Sequence, residues 1–275
     1  MEHTSVIFLW VAYLLYAGAL AVFVIQFLTK SPVLNRVGLW VAAFGLVCQT
    51  VAIILRGFSA GHLPFAGAYE SLVMVAWSIV LVWHILESFT KMRAVGLYVL
   101  PVVLVLLTVA WVEYQPPAGL VPALRSDIVV LHVIVMLTAI GCLYVAGGAG
   151  IIYLIEEALL RRRKAGGVLG RLPSLGALEK LMYHATLVGL PFLTAGMLAG
   201  IIRAETYNVP SWWVDPMVLL ALFAWALYAL LLWGRMRADW VGSRIAWLAL
   251  IGLVVLLIIR FAAVPYLSGF HTYGG

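Results

Sequence analysis

The sequence predicts an all-α integral membrane protein, folded as a single bundle of about eight transmembrane helices. Three observations predict this class. The chain has 275 residues, of which 65% are hydrophobic and only 10% charged, whereas about a quarter of the residues of a soluble domain are charged. The apolar residues fall in runs long enough to cross a bilayer, which takes about 20 residues. The basic residues are concentrated in the short connections between these runs.

Eight apolar runs reach or approach the length of a membrane span. They lie near residues 5–29, 37–55, 68–86, 94–112, 128–155, 181–202, 216–234 and 245–267. The first run has no basic leader, so we interpret it as a retained helix and not as a signal peptide. The fifth run is too long for one straight crossing and is expected to tilt or to pass the membrane surface. Composition is uniform, which predicts one polytopic domain over residues 1–275.

The distribution of Lys and Arg predicts how the bundle is oriented. Thirteen of the 17 basic residues fall in connections that follow odd-numbered helices. They are Lys30, Arg36, Lys91, Arg93, Arg161, Arg162, Arg163, Lys164, Arg171, Lys180, Arg235, Arg237 and Arg244. The other face carries Arg56, Arg125, Arg203 and Arg260. Because basic loops stay on the cytoplasmic side, we expect both chain ends on the periplasmic side of a bacterial inner membrane.

Charge and cysteine content argue against two other classes of protein. The net charge of +6 does not indicate a nucleic-acid partner, because such proteins carry a basic stripe on one face or helix. The two cysteines, Cys48 and Cys142, lie inside apolar runs and form no C-x-x-C motif. Neither a redox pair nor covalent attachment of a cofactor to this chain is therefore indicated.

A polar and aromatic island at residues 203–216 separates the sixth and seventh apolar runs. It reads Arg-Ala-Glu-Thr-Tyr-Asn-Val-Pro-Ser-Trp-Trp-Val-Asp-Pro. Trp212 and Trp213 offer large flat faces, Asp215 offers a carboxylate, and two prolines restrict the chain around them. An aromatic belt at the membrane interface would explain the tryptophans, although not the acid and the prolines. Aromatic walls suit a large flat ring such as a porphyrin.

Two of the six histidines frame this island on the same predicted side. His132 lies five residues into the fifth helix, and His271 lies near the C-terminus. Neutral imidazoles are suitable axial ligands of haem iron, although this spacing alone has low specificity. His84 and His184 fall at the predicted cytoplasmic ends of two helices, where they fit either interfacial residues or ligands of a second haem.

Arginines and acids on the outer side are candidates for holding the carboxylates of a haem. Arg56, Arg203 and Arg260 can each pair with a propionate through a planar fork of N–H donors. An unpaired charge within a span is costly, so Arg260 is expected to face the bundle interior or an outer cavity and to pair with a propionate or with Asp215. Glu70, at the start of the third helix, either stabilises the helix N-terminus or contributes to the site.

Four patches, in this order along the chain, resemble the cytochrome c assembly proteins, the CcsA, CcmC and HemX group of haem-handling membrane proteins. The first two are residues 131–136 and 189–197. The third is 212–216, which is similar to the family's tryptophan-rich WWD segment. The fourth, 268–274, resembles the family's Gly-x-His-Ser-Tyr-Gly ending. Residues 64–77 also resemble the CcsA and HemX branch.

The resemblance implies haem b bound at the outer face, with His132 and His271 as the two iron ligands. The expected cofactor-binding residues are Trp212, Trp213, Asp215, Arg203, Arg260, Arg56, Tyr273 and Glu70. The implied partners are apocytochrome c, whose thiols add to haem vinyl groups, and a separate assembly protein with a periplasmic domain. The lipid bilayer surrounds the chain, and no nucleic acid is expected.

Three functions fit these residues. The leading prediction is a haem-binding protein of cytochrome c biogenesis, acting as a component of a haem lyase or cytochrome c synthetase. The WWD segment departs from the family pattern, because Met217 and Val218 follow Asp-Pro where the family has Lys-Glu. The first alternative is therefore a regulatory or scaffold protein of the HemX type, with weak or no haem binding. The second is a membrane b-type cytochrome subunit in quinone-linked electron transfer.

Overall fold

The computed structural model describes residues 1–29, 31–65, 67–90, 95–117, 126–161 and 173–262. Within these ranges the chain forms eight α-helices, a short 3-10 helix, a π-helical turn at residues 259–262 and no β-strand. The α-helices are α1 (Glu2–Thr29), α2 (Pro32–Ala60), α3 (Ala68–Thr90), α4 (Gly96–Val112), α5 (Asp127–Arg161), α6 (Leu175–Thr206), α7 (Pro216–Arg237) and α8 (Ser243–Ile258). The 3-10 helix, Trp212–Val214, lies between α6 and α7. The predicted all-α class is confirmed, and each α-helix overlaps one predicted run.

The helices have the length and composition of membrane spans. Among those in the described ranges, seven are long and apolar enough to cross a bilayer, and α4 is apolar but has only 17 residues. The chain is accordingly a multi-pass membrane protein. At a rise of about 1.5 Å per residue, the 35 residues of α5 extend well beyond a hydrocarbon layer of about 30 Å.

The chain divides into two compact units, Met1–Arg125 and Ser126–Gly275. The first contains α1 to α4 and the second contains α5 to α8. Each unit is described by itself below, and the predicted single domain over residues 1–275 stays a prediction.

In the first unit, α1 packs along α2, and α4 packs on both α1 and α3. The ring of Tyr16 is fully buried against Gly45, where a Cβ atom would lie only 2.7 Å from the ring. Its hydroxyl donates to Gln49 Oε1 at 2.7 Å, and Gln49 Nε2 donates to the carbonyl of Val73 at 3.0 Å. These polar groups therefore find partners inside the helix bundle, as an apolar surrounding requires.

In the second unit, α5 is the central helix and packs mainly against α6 and α8. Small residues allow close approach, a common device of membrane helices. A Cβ atom at Gly147 would lie 2.5 Å from the Leu253 side chain of α8, and one at Gly150 would lie 2.9 Å from the Ala246 carbonyl. The glycines on this face of α5 therefore bring α8 into backbone contact.

Candidate functional site

His132 lies in the second turn of α5 and is half-buried. Its Nδ1 atom lies 2.7 Å from the carbonyl oxygen of Gly196 in α6. A carbonyl oxygen only accepts hydrogen bonds, so Nδ1 carries the proton, and a neutral ring has its lone pair on Nε2. Nε2 makes no hydrogen bond to any residue in the described part of the chain. The imidazole therefore keeps one nitrogen free for a metal ligand bond.

Two glycines of α6 form the surface against which this ring lies. A Cβ atom added at Gly200 would be 3.2 Å from Cε1 and 3.3 Å from Nδ1 of His132. One added at Gly196 would be 2.5 Å from the sulfur of Met136, which lies one turn after His132 on α5. The Gly196-x-x-x-Gly200 spacing places both glycines on one face of α6, so this face has room for an imidazole.

The polar island forms a compact link between α6 and α7. Asn208 and Ser211 have positive φ angles of 48° and 54°, which turn the chain sharply after α6. Asp215 caps α7, because its Oδ1 atom accepts a hydrogen bond from Met217 N at 2.9 Å. Pro216 occupies the first helical position, where its missing N–H has no consequence. The Asp-Pro pair thus defines the start of α7, and Asp215 itself is buried with 7% exposure.

The two tryptophans of the island have different surroundings. Trp212 donates through Nε1 to Glu205 Oε1 at 2.8 Å, which ties its ring to the last turn of α6. The Trp213 ring stands at 82° to it, with centroids 5.9 Å apart, and is 58% exposed. One ring is therefore held in place, and the other presents a free apolar face.

Two predicted arginines belong to the same unit as His132 and the island. Arg203, in the last turn of α6, places its guanidinium carbon 3.0 Å from the centroid of the Tyr207 ring. Arg260 lies in a π-helical turn that follows α8, is half-buried, and is close enough to act electrostatically on Tyr144. Both are candidates for binding an anion near the ends of their helices.

Arg56 and Glu70, also predicted as cofactor-binding residues, belong to the first unit, where they pair with each other. Arg56 Nε lies 2.9 Å from Glu70 Oε1, and both side chains are buried. Arg56 Nη2 donates to the carbonyl of Gln115 at 2.7 Å. The guanidinium also lies over the rings of Tyr69 and Tyr114, at 5.1 and 5.8 Å from their centroids. Most of the binding capacity of Arg56 is therefore used inside this unit.

The remaining nitrogen of Arg56, Nη1, is buried and has no hydrogen-bond partner among the described residues. The side chain borders a small cleft lined also by Ser5, Leu9 and Met74. The enclosed part of this cleft has room for about one water molecule. The Arg56 side chain is therefore closely enclosed by residues of its own unit.

Two predicted site residues, His271 and Tyr273, lie outside the described residues. His84 and His184, the candidates for a second haem, lie within them. The Nδ1 and Nε2 atoms of His84 lie 3.0 and 3.4 Å from the carbonyl oxygens of Val80 and Leu39. Both ring nitrogens of His84 therefore lie near backbone oxygens. His184 is exposed, and its Nδ1 atom lies 2.7 Å from the Lys180 carbonyl.

Several contacts of the candidate residues were not predicted from the sequence. They include the contact of His132 with Gly196 and Gly200, the bond from Trp212 to Glu205, and the contacts of Arg56 with Glu70 and with the Gln115 carbonyl. A small-x-x-x-small spacing such as Gly196 to Gly200 is a known signal for a close helix contact. The carbonyl of Gln115 carries no such signal, because any residue type provides one.

The apolar helices define a multi-pass membrane protein. His132, with Nδ1 bound and Nε2 free, is a candidate metal ligand in it. The family model of the cytochrome C assembly protein matches residues 65–271. This range includes His132, the island and His271, but not Arg56. The chain belongs to the cytochrome c assembly protein family.

Relatives cover most of the chain and carry a consistent name, cytochrome c biogenesis protein CcsA. The proteins from Chlorella vulgaris and Guillardia theta are each 30% identical to this chain, over 265 and 251 aligned residues, and each match covers 83% of both chains. The protein from Thermosynechococcus vestitus is 27% identical over 100% of this chain and 96% of its own length. The predicted assignment to cytochrome c biogenesis is confirmed at this level.

Proposed function

We propose that this protein holds haem b at the outer face of a bacterial inner membrane and delivers it to apocytochrome c. His132 and His271 are the two iron ligands. The observation that carries the proposal is the state of His132, whose Nδ1 atom is bound to Gly196 while Nε2 is free. Ligating histidines commonly engage their second nitrogen in this way, which orients the ring and makes the free nitrogen more basic.

The second unit contains groups that suit the other parts of a haem. The exposed Trp213 ring offers an apolar face to the porphyrin. The guanidinium groups of Arg203 and Arg260 offer charge-assisted donors to the propionates. Asp215 caps α7 and so holds the link that carries the tryptophans. We propose these roles on the basis of residue type and of their location in one unit.

The chain's own contribution is to bind and orient the ring, because the reactive groups come from elsewhere. Bound haem supplies the vinyl groups to which cysteine thiols add. Cys48 and Cys142 of this chain lie on helices α2 and α5, and Cys142 is buried. The thiols therefore come from apocytochrome c. A separate assembly protein with a periplasmic domain presents them, so this chain acts as one component of a haem lyase.

Absorbance spectra of the purified protein, with and without reductant, test haem ligation. We expect a low-spin spectrum with two imidazole ligands for the wild type. His132→Ala and His271→Ala should each lower haem occupancy or change the spectrum. His62→Ala is the matched control, because it also removes an imidazole but not one of the two proposed ligands. Unchanged occupancy and spectrum in both ligand variants would contradict the site. A wild type that never binds haem would favour the HemX-type alternative.

The orientation is tested by attaching a reporter at the C-terminus. An alkaline phosphatase fusion after Gly275 should be active, because this enzyme folds only in the oxidising periplasm. A fluorescent protein that matures only in the cytoplasm serves as the reciprocal control. The opposite result, a silent phosphatase and a bright fluorescent fusion, would place His271 on the cytoplasmic side and overturn delivery at the outer face.

A further inference from the structure

We propose that Gly196 and Gly200 of α6 are positioning residues, which fix the tautomer and the orientation of the His132 ring before any ligand binds. The Gly196 carbonyl holds the proton on Nδ1. Gly200, which has no Cβ atom, leaves the space in which the imidazole ring lies. This inference rests on the proposed function only for the identity of the ligand, haem iron. The arrangement of the ring is a property of the chain itself.

The hydrogen bond determines which nitrogen is free. A carbonyl oxygen has two lone pairs, so Gly196 can accept from His132 in addition to its own helical hydrogen bond. The distance of 2.7 Å is short for an N–H donor, and the site is half-buried, where such bonds are stronger than in water. The alternative tautomer would place two lone pairs against each other at this distance. The ring is therefore held with Nε2 available.

The space above Gly200 determines where the ring lies. A Cβ atom at this position would approach Cε1 to 3.2 Å and Nδ1 to 3.3 Å, closer than the 3.5–4.0 Å at which carbon atoms attract each other. The ring would have to move by a few tenths of an ångström. Because Nδ1 is one of the two crowded atoms, this movement acts directly on the bond to Gly196.

A packing role alone makes a different prediction for the glycines of α6. Gly189 also faces α5, where a Cβ atom would lie 2.9 Å from Cys142 and 3.0 Å from Leu143. If glycines served only close helix contact, alanine at Gly189 and at Gly200 would have the same kind of effect. If Gly200 positions the imidazole, only its substitution changes His132. Gly176, with nothing within 4 Å of an added Cβ atom, is a neutral control on the same helix.

Nitrogen NMR of the ligand-free protein, labelled with ¹⁵N-histidine, tests this directly. The His132 signals are assigned by their loss in His132→Gln. In the wild type we expect Nδ1 protonated and Nε2 unprotonated. Gly200→Ala should shift both nitrogens or produce a mixture of tautomers, whereas Gly176→Ala and Gly189→Ala should leave the His132 signals unchanged. A wild-type ring protonated on Nε2 would overturn the proposal whether or not Gly200→Ala folds.

Haem binding provides a second readout. Loss of a group that orients a metal ligand typically lowers affinity about 10–100-fold, so we expect haem affinity to fall by roughly ten-fold or more in Gly200→Ala. Gly189→Ala should lower thermal stability with little change of haem affinity. Identical His132 signals and identical affinity in Gly200→Ala and the wild type would refute the positioning role. A wild type that binds no haem but shows the expected tautomer would refute only the proposed function.

Discussion

Arg56 in the first unit and His132 in the second were both predicted to bind haem, yet their surroundings differ. Arg56 is enclosed by the Glu70 carboxylate, the Gln115 carbonyl and two tyrosine rings. His132 has one nitrogen bound to a backbone oxygen and the other free. Residue type suggested a ligand role for both. The contacts indicate that a side chain suited to a ligand must also retain an unsatisfied group that the ligand can reach.

The difference has an energetic basis. A buried guanidinium is tolerated only when paired, because removing a charge from water costs several kcal/mol. Arg56 meets this requirement within its own unit, so a haem propionate would compete with Glu70. A neutral imidazole has no charge to compensate, and one hydrogen bond is enough to orient it. His132 can therefore keep the orientation that a metal ligand needs, because no other group of the described protein binds its Nε2 atom.

The largest expected effect is on stability, from breaking the Arg56–Glu70 pair. Arg56→Ala removes one charge of a buried ion pair, which typically costs about 3–5 kcal/mol. We expect a lower yield and a lower melting temperature, with haem occupancy unchanged in the protein that folds.

The control for this prediction is the double variant Arg56→Met, Glu70→Leu, which removes both charges. Replacing a whole buried pair by apolar residues is often close to neutral, so the double variant should recover much of the stability lost in Arg56→Ala. A stable Arg56→Ala protein that has lost its haem would instead support the propionate role predicted from the sequence.

The next largest effect is a loss of haem affinity when an arginine of the second unit is removed. Arg203→Ala and Arg260→Ala each remove donors to a propionate, and hydrogen bonds to charged groups contribute about 1.5–3 kcal/mol. We expect haem affinity, measured by titration followed by absorbance, to fall by roughly 10–100-fold, with the yield maintained. Arg237→Ala, exposed in the last turn of α7, is the control. A lower yield at unchanged affinity would assign Arg260 to the structure of the unit and not to haem.

A smaller effect is expected from Asp215, and two variants separate its cap from its charge. Asp215→Ala removes the cap of α7 and should lower the free energy of unfolding by about 1 kcal/mol. Asp215→Asn keeps an oxygen acceptor for Met217 N, so thermal unfolding should resemble that of the wild type. If Asp215→Asn loses haem while remaining stable, the carboxylate charge acts on the haem site or on Arg260 in addition to capping.

A similarly small effect on stability, which also depends on pH, is expected at Tyr114, just after the end of α4. Burial, followed by the hydrogen bond from its hydroxyl to Glu2 at 2.7 Å, raises the pKa of Tyr114 above its ordinary value. A raised pKa means that the contact stabilises the fold below about pH 10, the ordinary tyrosine value, and that this contribution is lost as the pH rises through the higher pKa. Tyr114→Phe should cost about 1 kcal/mol.

The raised pKa of Tyr114 is measured by the absorbance of tyrosinate during an alkaline titration. The difference between wild type and Tyr114→Phe should titrate above the ordinary tyrosine pKa. Glu2→Gln, which keeps an acceptor but removes the charge, should bring that step closer to the ordinary value. A wild-type difference that titrates at or below the ordinary value would contradict the contact.

The sequence by itself determined the class of the protein, the family to which it belongs, and the number and order of the α-helices found in the described residues. Backbone groups in a bilayer must be paired within each segment, so a long apolar run has one outcome, a helix, and can be recognised without its neighbours. The predicted ends of the helices were less accurate. The second run was predicted at 37–55, whereas α2 spans Pro32–Ala60, because the Ser31 cap and polar turns continue a helix beyond its apolar part.

Only the tertiary structure decided which polar groups are already bound and which are free. Glu70 and Arg56 come from different helices, and His132 and Gly196 are 64 residues apart. Such contacts depend on how each helix is rotated about its axis and on how far it slides along its neighbour. Apolar runs carry little information on either, because lipid and a neighbouring helix are similarly apolar surroundings. Close packing of side chains and glycines sets both, and this places the proton of His132 on Nδ1 and leaves Nε2 free.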